Sequence, residues 1–569
     1  MKNHLSFKNL TICRDDTGAA IVKDISFDVA PGKVVALIGE SGSGKTTVSL
    51  TALGYVRSGL RVTGGTVTFG DTDILALSGH ALRDFRGRRI AYVAQSAAAA
   101  FNPGLTIGFQ VAETASIHAL GTAAERQAHV FKLYEELQLP AAATIGDRYP
   151  HEVSGGQLQR LMAAMAMSAG PECIVFDEPT TALDVTTQVD VLKTFKDLIQ
   201  GHGIGAVYVS HDLAVVAQIA DEIVVLQAGE IVEHGTVEQV INKPQHHYTK
   251  LLIAASDPEI ASKTAKLPKR PATVLISDSS KHAEMMPTEG DPVLRIRDLC
   301  VGYGATNRQG EPSVKVLKDI NLDIKARSIH AVIGESGSGK STLARAICGL
   351  TRFYQGQVLL DGASLSPDLK SRTRAELGRV QMVMQMADVA LNPAHTIDKI
   401  LRRPIQYITG ETGSAVDDRI ADLLHKVKLP ADVARRLPRE LSGGQKQRIN
   451  LARALAGQPR VVLCDEVTSA LDTVVRNAII DLIWSLREDL GLTFVMISHD
   501  ISTVAALCDE VAVMHRGHVV EQGGTESTLR APRHAYTRKL MRSVPHLRVG
   551  WLEQAIDHRH TDTQLVLEG

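Results

Sequence analysis

Short runs of consecutive apolar residues, each followed at once by glycine or polar residues, dominate the hydrophobic pattern of the chain. The run Val34–Ile38 leads directly into a glycine-rich segment, which is followed by the helical pattern TTVSLTALGY. CIVFDE and AVYVSHD come later in the first half, and the second half contains HAVIG, VVLCDE and FVMISHD. Such β-branched and aliphatic runs indicate strands buried on both faces, as in a parallel sheet. The pattern therefore predicts an α/β fold with its functional residues at the carboxyl ends of the strands.

The chain repeats itself once. GESGSGKT at Gly39–Thr46 recurs as GESGSGKS at Gly334–Ser341, so the two lysines stand 295 residues apart. Later landmarks recur in the same order, at offsets of 290 and then 288 residues: Gln95 with Gln385, Ser154 with Ser442, Asp177 with Asp465, His211 with His499, and Tyr248 with Tyr536. Solenoid repeats are far shorter, about 20–50 residues. The sequence thus predicts two copies of one domain.

Changes in composition set the predicted boundaries of these domains. Proline, small polar residues and mixed charges dominate the text between the copies, which indicates a flexible linker. The prediction is a first domain over 1–253, a linker over 254–292, a second domain over 293–544 and a polar tail over 545–569.

Composition excludes several classes of protein. The 44% hydrophobic and 22% charged fractions are those of a globular protein, and 62 basic against 63 acidic residues give no overall field that would attract nucleic acid. The six cysteines are scattered, without the close pairs that ligate zinc or an iron–sulfur cluster, so reduced thiols are expected. Neither a signal peptide nor an apolar run of about 18 residues is present, so we expect a cytoplasmic chain that does not span a membrane.

The spacing GxxxxGK[ST] predicts a phosphate-binding loop. Its glycines let successive backbone N–H groups turn inward around phosphate oxygens, at the amino terminus of a helix. Lys45 and Lys340 would neutralise the outer phosphates, and Thr46 and Ser341 would offer a hydroxyl to Mg²⁺. The candidate loop residues are Gly39, Ser41, Gly42, Ser43, Gly44, Lys45 and Thr46 in the first copy and Gly334, Ser336, Gly337, Ser338, Gly339, Lys340 and Ser341 in the second.

Acidic and histidine residues stand at the ends of two of the predicted strands in each copy. Asp177 and Asp465 are candidates for holding Mg²⁺, and Glu178 and Glu466 are candidates for polarising the water that attacks the terminal phosphate. The alternative is structural, since acids at strand ends also cap helices or pair with lysine. His211 and His499, in SHD, recur at the same offset, which favours a phosphate-sensing role over a structural one. The candidate catalytic residues are therefore Glu178, Glu466, His211 and His499.

The segments VSGGQLQR and LSGGQKQR each place a serine and two glycines before a helical run. The residues are Ser154, Gly155 and Gly156 in the first copy and Ser442, Gly443 and Gly444 in the second. Each segment begins a helix whose amino terminus can bind a phosphate. Each domain already has such a helix start at its phosphate loop, so the second one must serve a group outside that loop. SGGQ resembles the signature of ATP-binding-cassette (ABC) proteins, in which two domains dimerise head to tail and clamp ATP between them.

The resemblance covers nearly the whole chain. It implies two P-loop ABC-type ATPase domains, each with a mainly parallel sheet and a helical subdomain, that bind ATP and Mg²⁺. By similarity, Gln95 and Gln385 touch magnesium and relay to a membrane partner, and Tyr303 stacks on adenine. Asp184 and Asp472, in TALD and SALD, match the loop that couples the two sites. The first site then combines its own loop, glutamine, acids and histidine with Ser442 and Gly444, and the second combines its own set with Ser154 and Gly156.

More specific text resembles the dipeptide, oligopeptide and nickel importer group: FNP and LNP after the glutamines, and the HxYT segments HHYTKLL and HAYTRKLM. The resemblance implies an ATP-hydrolysing motor for uptake of peptides or peptide-like solutes. It also implies two integral-membrane permease subunits, an extracytoplasmic substrate-binding protein, and a peripheral location on the cytoplasmic face of the inner membrane. Two departures are present: no cysteine follows the HxYT segments, so no iron–sulfur cluster is predicted, and Arg14 stands where the second copy has Tyr303.

Two other classes of function compete with this interpretation. A soluble twin-cassette ATPase acting on the ribosome or DNA would usually join its domains by a long charged helical arm, which the proline-containing linker does not resemble. A non-catalytic nucleotide switch conflicts with two intact glutamates, Glu178 and Glu466. For the HxYT segments, an ordinary surface helix start is the structural alternative.

Overall fold

In the part of the chain that the structure describes, twenty strands and a comparable number of helices form two units of the same design. The computed structural model describes residues 4–181, 183–256, 291–307, 311–468 and 471–557. Of these, the first unit contains residues up to 256 together with 472–474 and 545–557, and the second contains the rest of 291–544. The predicted linker falls mainly on residues 257–290, which lie outside the described residues.

Two sheets form the first unit. A six-stranded sheet has the order β10-β9-β3-β8-β7-β6 and is parallel except for β10, and a four-stranded antiparallel sheet has the order β2-β1-β4-β5. The strands are β1 (Leu5–Arg14), β2 (Ala20–Val29), β3 (Val34–Ile38), β4 (Leu60–Phe69), β5 (Thr72–Asp73), β6 (Ile90–Val93), β7 (Cys173–Asp177), β8 (Gly205–Val209), β9 (Glu222–Gln227) and β10 (Glu230–Thr236).

The apolar runs read from the sequence are the central strands of the larger sheet. Every residue of β3, β7 and β8 is buried. Successive residues of β3 face two different cores: Ala36 packs under the helices, and Leu37 packs against the four-stranded sheet. A strand buried on both faces must be apolar throughout, which is why these strands show no alternation.

Helices cover the other face of the sheet, and α4, α5 and α6 pack on one another as a helical layer. The helices of this unit are α1 (Lys45–Thr51) and α2 (Gly79–Phe85), which pack in the core shared with the four-stranded sheet, and α3 (Ala97–Ala100), α4 (Ile107–Ile117), α5 (Ala123–Glu136), α6 (Gly155–Met167), α7 (Val185–His202), α8 (Leu213–Ile219), α9 (Val237–Asn242) and α10 (His247–Ser256).

The second unit repeats this topology. Its sheets have the orders β12-β11-β14-β15 and β16-β17-β18-β13-β19-β20, with the last strand again antiparallel. Its strands are β11 (Pro292–Thr306), β12 (Pro312–Lys325), β13 (Ile329–Ile333), β14 (Phe353–Leu360), β15 (Ala363–Ser364), β16 (Val380–Val383), β17 (Val461–Asp465), β18 (Thr493–Ile497), β19 (Glu510–His515) and β20 (His518–Gly524). Its helices are α11 (Lys340–Ile347), α12 (Arg374–Arg379), α13 (Ala387–Ala390), α14 (Ile397–Thr409), α15 (Ser414–Lys426), α16 (Gly443–Leu455), α17 (Thr473–Leu490), α18 (Ile501–Leu507), α19 (Thr525–Arg530) and α20 (Ala535–Arg542).

Residues 545–557 belong to the first unit and complete its core. A helix over 551–557 buries Trp551 and Leu552 in the apolar core beneath the helices. Gln218 of α8 holds the segment by its backbone: its Nε2 donates to the carbonyls of His546 and Arg548 at 2.9 and 3.0 Å, and its Oε1 accepts the N–H of Leu552 at 3.1 Å. The sequence suggested a polar tail here, but part of this segment is buried structure.

Among the helices within the described ranges, none combines the length and apolar character needed to cross a membrane.

Candidate nucleotide-hydrolysis sites

Each phosphate loop connects a central strand to a helix, as the sequence predicted. In the first unit it joins β3 to α1, and glycine is required where it begins, since a Cβ on Gly39 would lie 2.1 Å from the carbonyl oxygen of Leu226. Gly334 meets the carbonyl oxygen of Met514 in the same way, at 2.2 Å. Only glycine allows this close approach of the loop to the neighbouring strand.

A buried lysine lies inside each loop. Lys45 is 6% exposed, and its Nζ donates to the carbonyls of Gly39 and Glu40 at 2.8 and 2.7 Å. Lys340 donates to Gly334 and Glu335, both at 2.8 Å. Burial lowers the pKa of Lys45, and the nearby carboxylate of Glu178 opposes that shift. A cation enclosed by backbone in this way fits the outer phosphates of a nucleotide.

A hydroxyl and an aspartate meet beside each loop. Thr46 donates to Asp177 through Oγ1 and Oδ1 at 3.1 Å, and Ser341 donates to Asp465 at 3.0 Å. Burial raises the pKa of both aspartates. Oxygen donors adjoining a phosphate loop are the ligand type that Mg²⁺ prefers, so the residues present fit a magnesium–nucleotide complex.

A glutamate, a glutamine and a histidine form one hydrogen-bonded cluster in each unit. Gln95 Nε2 donates to Glu178 Oε2 at 3.0 Å, and His211 Nδ1 lies 3.2 Å from Glu178 Oε1. In the second unit Gln385 and His499 contact Glu466 at 2.7 and 3.2 Å. The structure thus brings together three residues that are scattered over more than 110 positions of the sequence in each copy.

The backbone at both glutamates is in the left-handed region, with φ of 48°. This conformation is unfavourable for a side chain with a Cβ, and it costs of order 1 kcal/mol or more wherever it occurs. It redirects the chain at the end of β7 and β17, immediately after the buried aspartate. The carboxylate is thereby turned toward the glutamine and the histidine.

Charge keeps these glutamates ionised. Burial acts to raise the pKa of Glu178, but the hydrogen bond and charge of His211, with Lys45 nearby, hold it below the ordinary value. His499, Lys340 and Gln385 do the same for Glu466. An ionised, partly enclosed carboxylate is suited to accept a proton from a water molecule.

The SGGQ segments form helix starts, as expected from the sequence. Ser154 caps α6: its Oγ accepts the N–H of Gln157 at 3.3 Å, and its own N–H donates to Gln157 Oε1 at 2.9 Å. Ser442 caps α16 in the same reciprocal way with Gln445. These hydrogen bonds of each serine stay within its own helix start.

Comparison with known proteins decides the family. A family model described as "ABC transporter" matches residues 22–181 and 317–469, which together are more than half of the chain. The chain belongs to the ABC transporter family. A second model, "Oligopeptide/dipeptide transporter, C-terminal region", matches 232–281 and 520–565, which include both HxYT segments. The predicted resemblance and fold class are therefore confirmed, and this ABC protein is an ATPase with two cassettes.

Its relatives match over almost their full length. The glutathione import ATP-binding proteins GsiA of Escherichia coli O157:H7 and of Shigella dysenteriae serotype 1 (strain Sd197) are each 36% identical over 563 residues, covering 95% of this chain and 90% of theirs. Among solved structures, the dimeric structure of MJ0796, a bacterial ABC transporter cassette, is 28% identical, with a TM-score of 0.36, and covers 41% of this chain and 98% of that one.

The two ABC sites differ at the aspartate predicted to hold Mg²⁺. Tyr92 donates its hydroxyl to Asp177 Oδ2 at 3.0 Å, whereas Met382 occupies the equivalent position on β16. In the second cassette the charge of Arg345, which stands at the position of Leu50, acts on Asp465, whereas in the first cassette the charge of Arg57 acts on Asp177. This difference is not among the sequence-based predictions, although aligning the two copies of the repeat places Tyr92 opposite Met382.

The two cassettes also differ at the predicted adenine contact. Tyr303 is 44% exposed on β11, and its hydroxyl lies 3.4 Å from Oγ1 of Thr342 in α11. Arg14 instead forms two hydrogen bonds with Asp16, both 3.2 Å. A free aromatic ring beside the loop helix is a stacking platform, while an arginine already held by a carboxylate is a poorer one.

Tyr303→Ala is therefore expected to weaken ATP binding at the second site by ~1–3 kcal/mol, the range for stacking a base on an aromatic side chain. Arg14→Ala should weaken the first site less. The measurement is MgATP affinity in a variant that hydrolyses at neither site. Equal losses of MgATP affinity from the two substitutions, or no loss from Tyr303→Ala, would contradict the expected difference between the two adenine contacts.

Proposed function

We propose that this ABC ATPase is the motor subunit of an importer and energises uptake of peptides or peptide-like solutes through separate permease subunits. The observation that carries the proposal is a complete glutamine–glutamate–histidine cluster in both cassettes, in a chain that also has the oligopeptide/dipeptide transporter region twice. The relatives named above import glutathione, itself a small peptide-like solute. Two intact sites favour a hydrolytic motor over a nucleotide switch.

The proposed catalytic roles follow from the contacts in each cassette. The buried lysines hold the outer phosphates, and Mg²⁺, bound through Thr46 and Asp177 or Ser341 and Asp465, would neutralise charge that develops on the phosphate oxygens. Glu178 and Glu466 accept the proton of the attacking water. The glutamine and histidine on either side of each glutamate fix the orientation of its carboxylate.

A groove in the helical layer of the first unit is the proposed docking site for a permease. It has a volume of about 810 Å³ and is lined by α4 and α5. Phe109 and Ile117 on α4 are 60% and 72% exposed at this groove. Exposed aromatic and aliphatic side chains grouped beside a groove are typical of a protein interface, and a short helix of a membrane subunit is the occupant we propose. The motor would then be peripheral to the inner face of the membrane.

The two cassettes are proposed to clamp ATP head to tail. Each carries one phosphate loop and one exposed SGGQ serine, and a second phosphate-binding helix start is unnecessary for the loop of the same cassette. With Ser41→Cys and Ser442→Cys in a hydrolysis-deficient background, we expect a cross-link with ATP that weakens without it. The equivalent pair at the other proposed site, Ser336→Cys with Ser154→Cys, should show the same dependence on ATP. Stronger cross-linking within one cassette, in a variant with Ser41→Cys and Ser154→Cys, would rule out the head-to-tail arrangement.

Uptake assays test the importer function. In a strain lacking the gene, uptake of labelled dipeptides, tripeptides and glutathione should fall, and the wild-type chain should restore it while the Glu178→Gln, Glu466→Gln variant should not. Labelled sugar and nickel uptake serve as comparisons. Normal peptide uptake in the deletion strain, together with cosedimentation of the protein with ribosomes, would favour the twin-cassette factor instead.

A further inference from the structure

The tyrosine of each HxYT segment reaches the phosphate loop of its own cassette. The hydroxyl of Tyr248 accepts the backbone N–H of Glu40 at 2.9 Å, and the hydroxyl of Tyr536 accepts that of Glu335 at 2.8 Å. Glu40 and Glu335 are the second residues of the two loops. Both tyrosines are buried, 4% and 7% exposed.

The HxYT segment holds its tyrosine in a fixed place. The N–H of Tyr248 donates to His246 Nδ1 at 3.2 Å, so the histidine caps the first turn of α10. The carboxylate of Glu233 on β10 accepts the N–H groups of Gln245 and His246 at 2.8 and 3.0 Å. Leu252, one turn further along α10, is buried in the core. The helix start is thus fastened to the sheet on one side and to the core on the other.

The second cassette builds the same arrangement from the equivalent residues. His534 Nδ1 accepts the N–H of Tyr536 at 3.2 Å, and Glu521 accepts the N–H groups of Arg533 and His534 at 2.8 and 3.0 Å. The tyrosine and the loop glutamate are 208 residues apart in the first copy and 201 in the second. The contact is therefore kept although the intervening chain changed length, which a chance surface contact would not require.

The tyrosine and the loop lysine act on the same short stretch of backbone. Tyr248 binds the N–H of Glu40, while Lys45 binds the carbonyls of Gly39 and Glu40. The backbone N–H and carbonyl of Glu40 and the carbonyl of Gly39 thus all have hydrogen-bond partners within the cassette. When Lys45 pairs with a bound phosphate, the hydrogen bond from the Glu40 N–H to Tyr248 still fixes the position of the first residues of the loop.

We propose that Tyr248 and Tyr536 are positioning residues that hold the phosphate loop in its nucleotide-binding conformation, so that the C-terminal helix of each cassette sets ATP affinity. This inference rests on ATP binding by the cassettes, not on the importer role, and it gives the HxYT segment a function within the ATPase. Neither tyrosine takes part in the chemical step. Loss of the hydroxyl should change binding more than turnover.

The test uses Tyr248→Phe and Tyr536→Phe in the full chain, which remove only the hydroxyl. Each is paired with a lysine change in the other loop, Lys340→Ala or Lys45→Ala respectively, so that calorimetry with MgATP reports one site. We expect MgATP affinity at the affected site to fall roughly three- to tenfold, the effect of one net hydrogen bond. The kcat at saturating ATP should stay within about twofold of the matched lysine variant. Tyr407→Phe, on an exposed face of α14, is the matched control and should change neither value.

Hydrogen exchange gives a readout independent of activity. The amide of Glu40 should exchange faster in Tyr248→Phe, and that of Glu335 faster in Tyr536→Phe, with the other loop unchanged. Unchanged affinity and exchange would overturn the proposal. So would a fall in kcat without a fall in affinity, which would place the hydroxyl in the chemistry. If Tyr248→Phe lowers the melting temperature markedly, Glu233→Gln, which loosens the helix start only, should still reproduce the affinity loss; a normal affinity in that variant would also overturn it.

Discussion

Glu178→Gln combined with Glu466→Gln is expected to bind ATP with nearly normal affinity and to hydrolyse it about 10²–10⁴-fold more slowly. Glutamine keeps the shape of the side chain and a hydrogen-bonding partner for Gln95 or Gln385. It cannot accept the proton of the attacking water. The substitutions leave the phosphate loops and their lysines unchanged, so the loss falls on the chemical step and not on binding.

Phosphate release and MgATP affinity, measured on the same preparations, check this expectation. Each single variant should retain part of the activity, which apportions turnover between the two cassettes. Glu222→Gln is the control, because that carboxylate on β9 pairs with His234 on β10 and is not part of the glutamine–glutamate–histidine cluster. Hydrolysis at the wild-type rate by the double variant would show that the glutamates do not have this role.

Trp551→Ala is expected to lower the free energy of unfolding of the first unit by ~3–5 kcal/mol, the cost of removing a large aromatic side chain from a core. Trp551 is 8% exposed and packs in the same apolar cluster as Leu552 and Ala555. The cavity left behind would sit next to α8, where Gln218 holds the segment. Unfolding of this unit should therefore begin at lower denaturant.

The matched control is Trp484→Ala, since the sequence contains two tryptophans and Trp484 is 36% exposed. Calorimetry should resolve a transition that moves to lower temperature in Trp551→Ala and moves far less in Trp484→Ala. Equal shifts in the two variants, or none in Trp551→Ala, would mean that residues 545–557 add little to the stability of the first unit.

The sequence predicted the elements whose pattern is local. The run Val34–Ile38 coincides with β3, and β7 and β17 end at Asp177 and Asp465, the first polar residue after each apolar run. This succeeds because a strand buried on both faces must be apolar at each position, and because the phosphate loop has fixed spacing. The SGGQ helix starts were predictable for the same reason, as serine at the first cap position has a local partner three residues later.

Contacts between distant positions were not predictable from such patterns. Neither the hydrogen bond from the Glu40 N–H to Tyr248 nor the one from Tyr92 to Asp177 leaves a periodic signal, since each depends on which helices and strands become neighbours. The left-handed backbone at Glu178 is likewise set by tertiary structure, because glutamate has no preference for it. The buried helix over 551–557 did leave a signal: Trp551, Leu552 and Ala555 recur at helical spacing within text that is polar on average.

The order of synthesis along the chain determines when the segment held by Gln218 can join the first unit. Domains generally fold as they emerge, the N-terminal one first. Here residues 545–557 are translated after the entire second cassette, yet they fill the core of the first unit. The first cassette therefore emerges from the ribosome with an incomplete hydrophobic core, which is completed only near the end of synthesis. Separating the two cassettes into two genes would leave the N-terminal product without Trp551 and Leu552, with an apolar surface exposed that the fused chain covers.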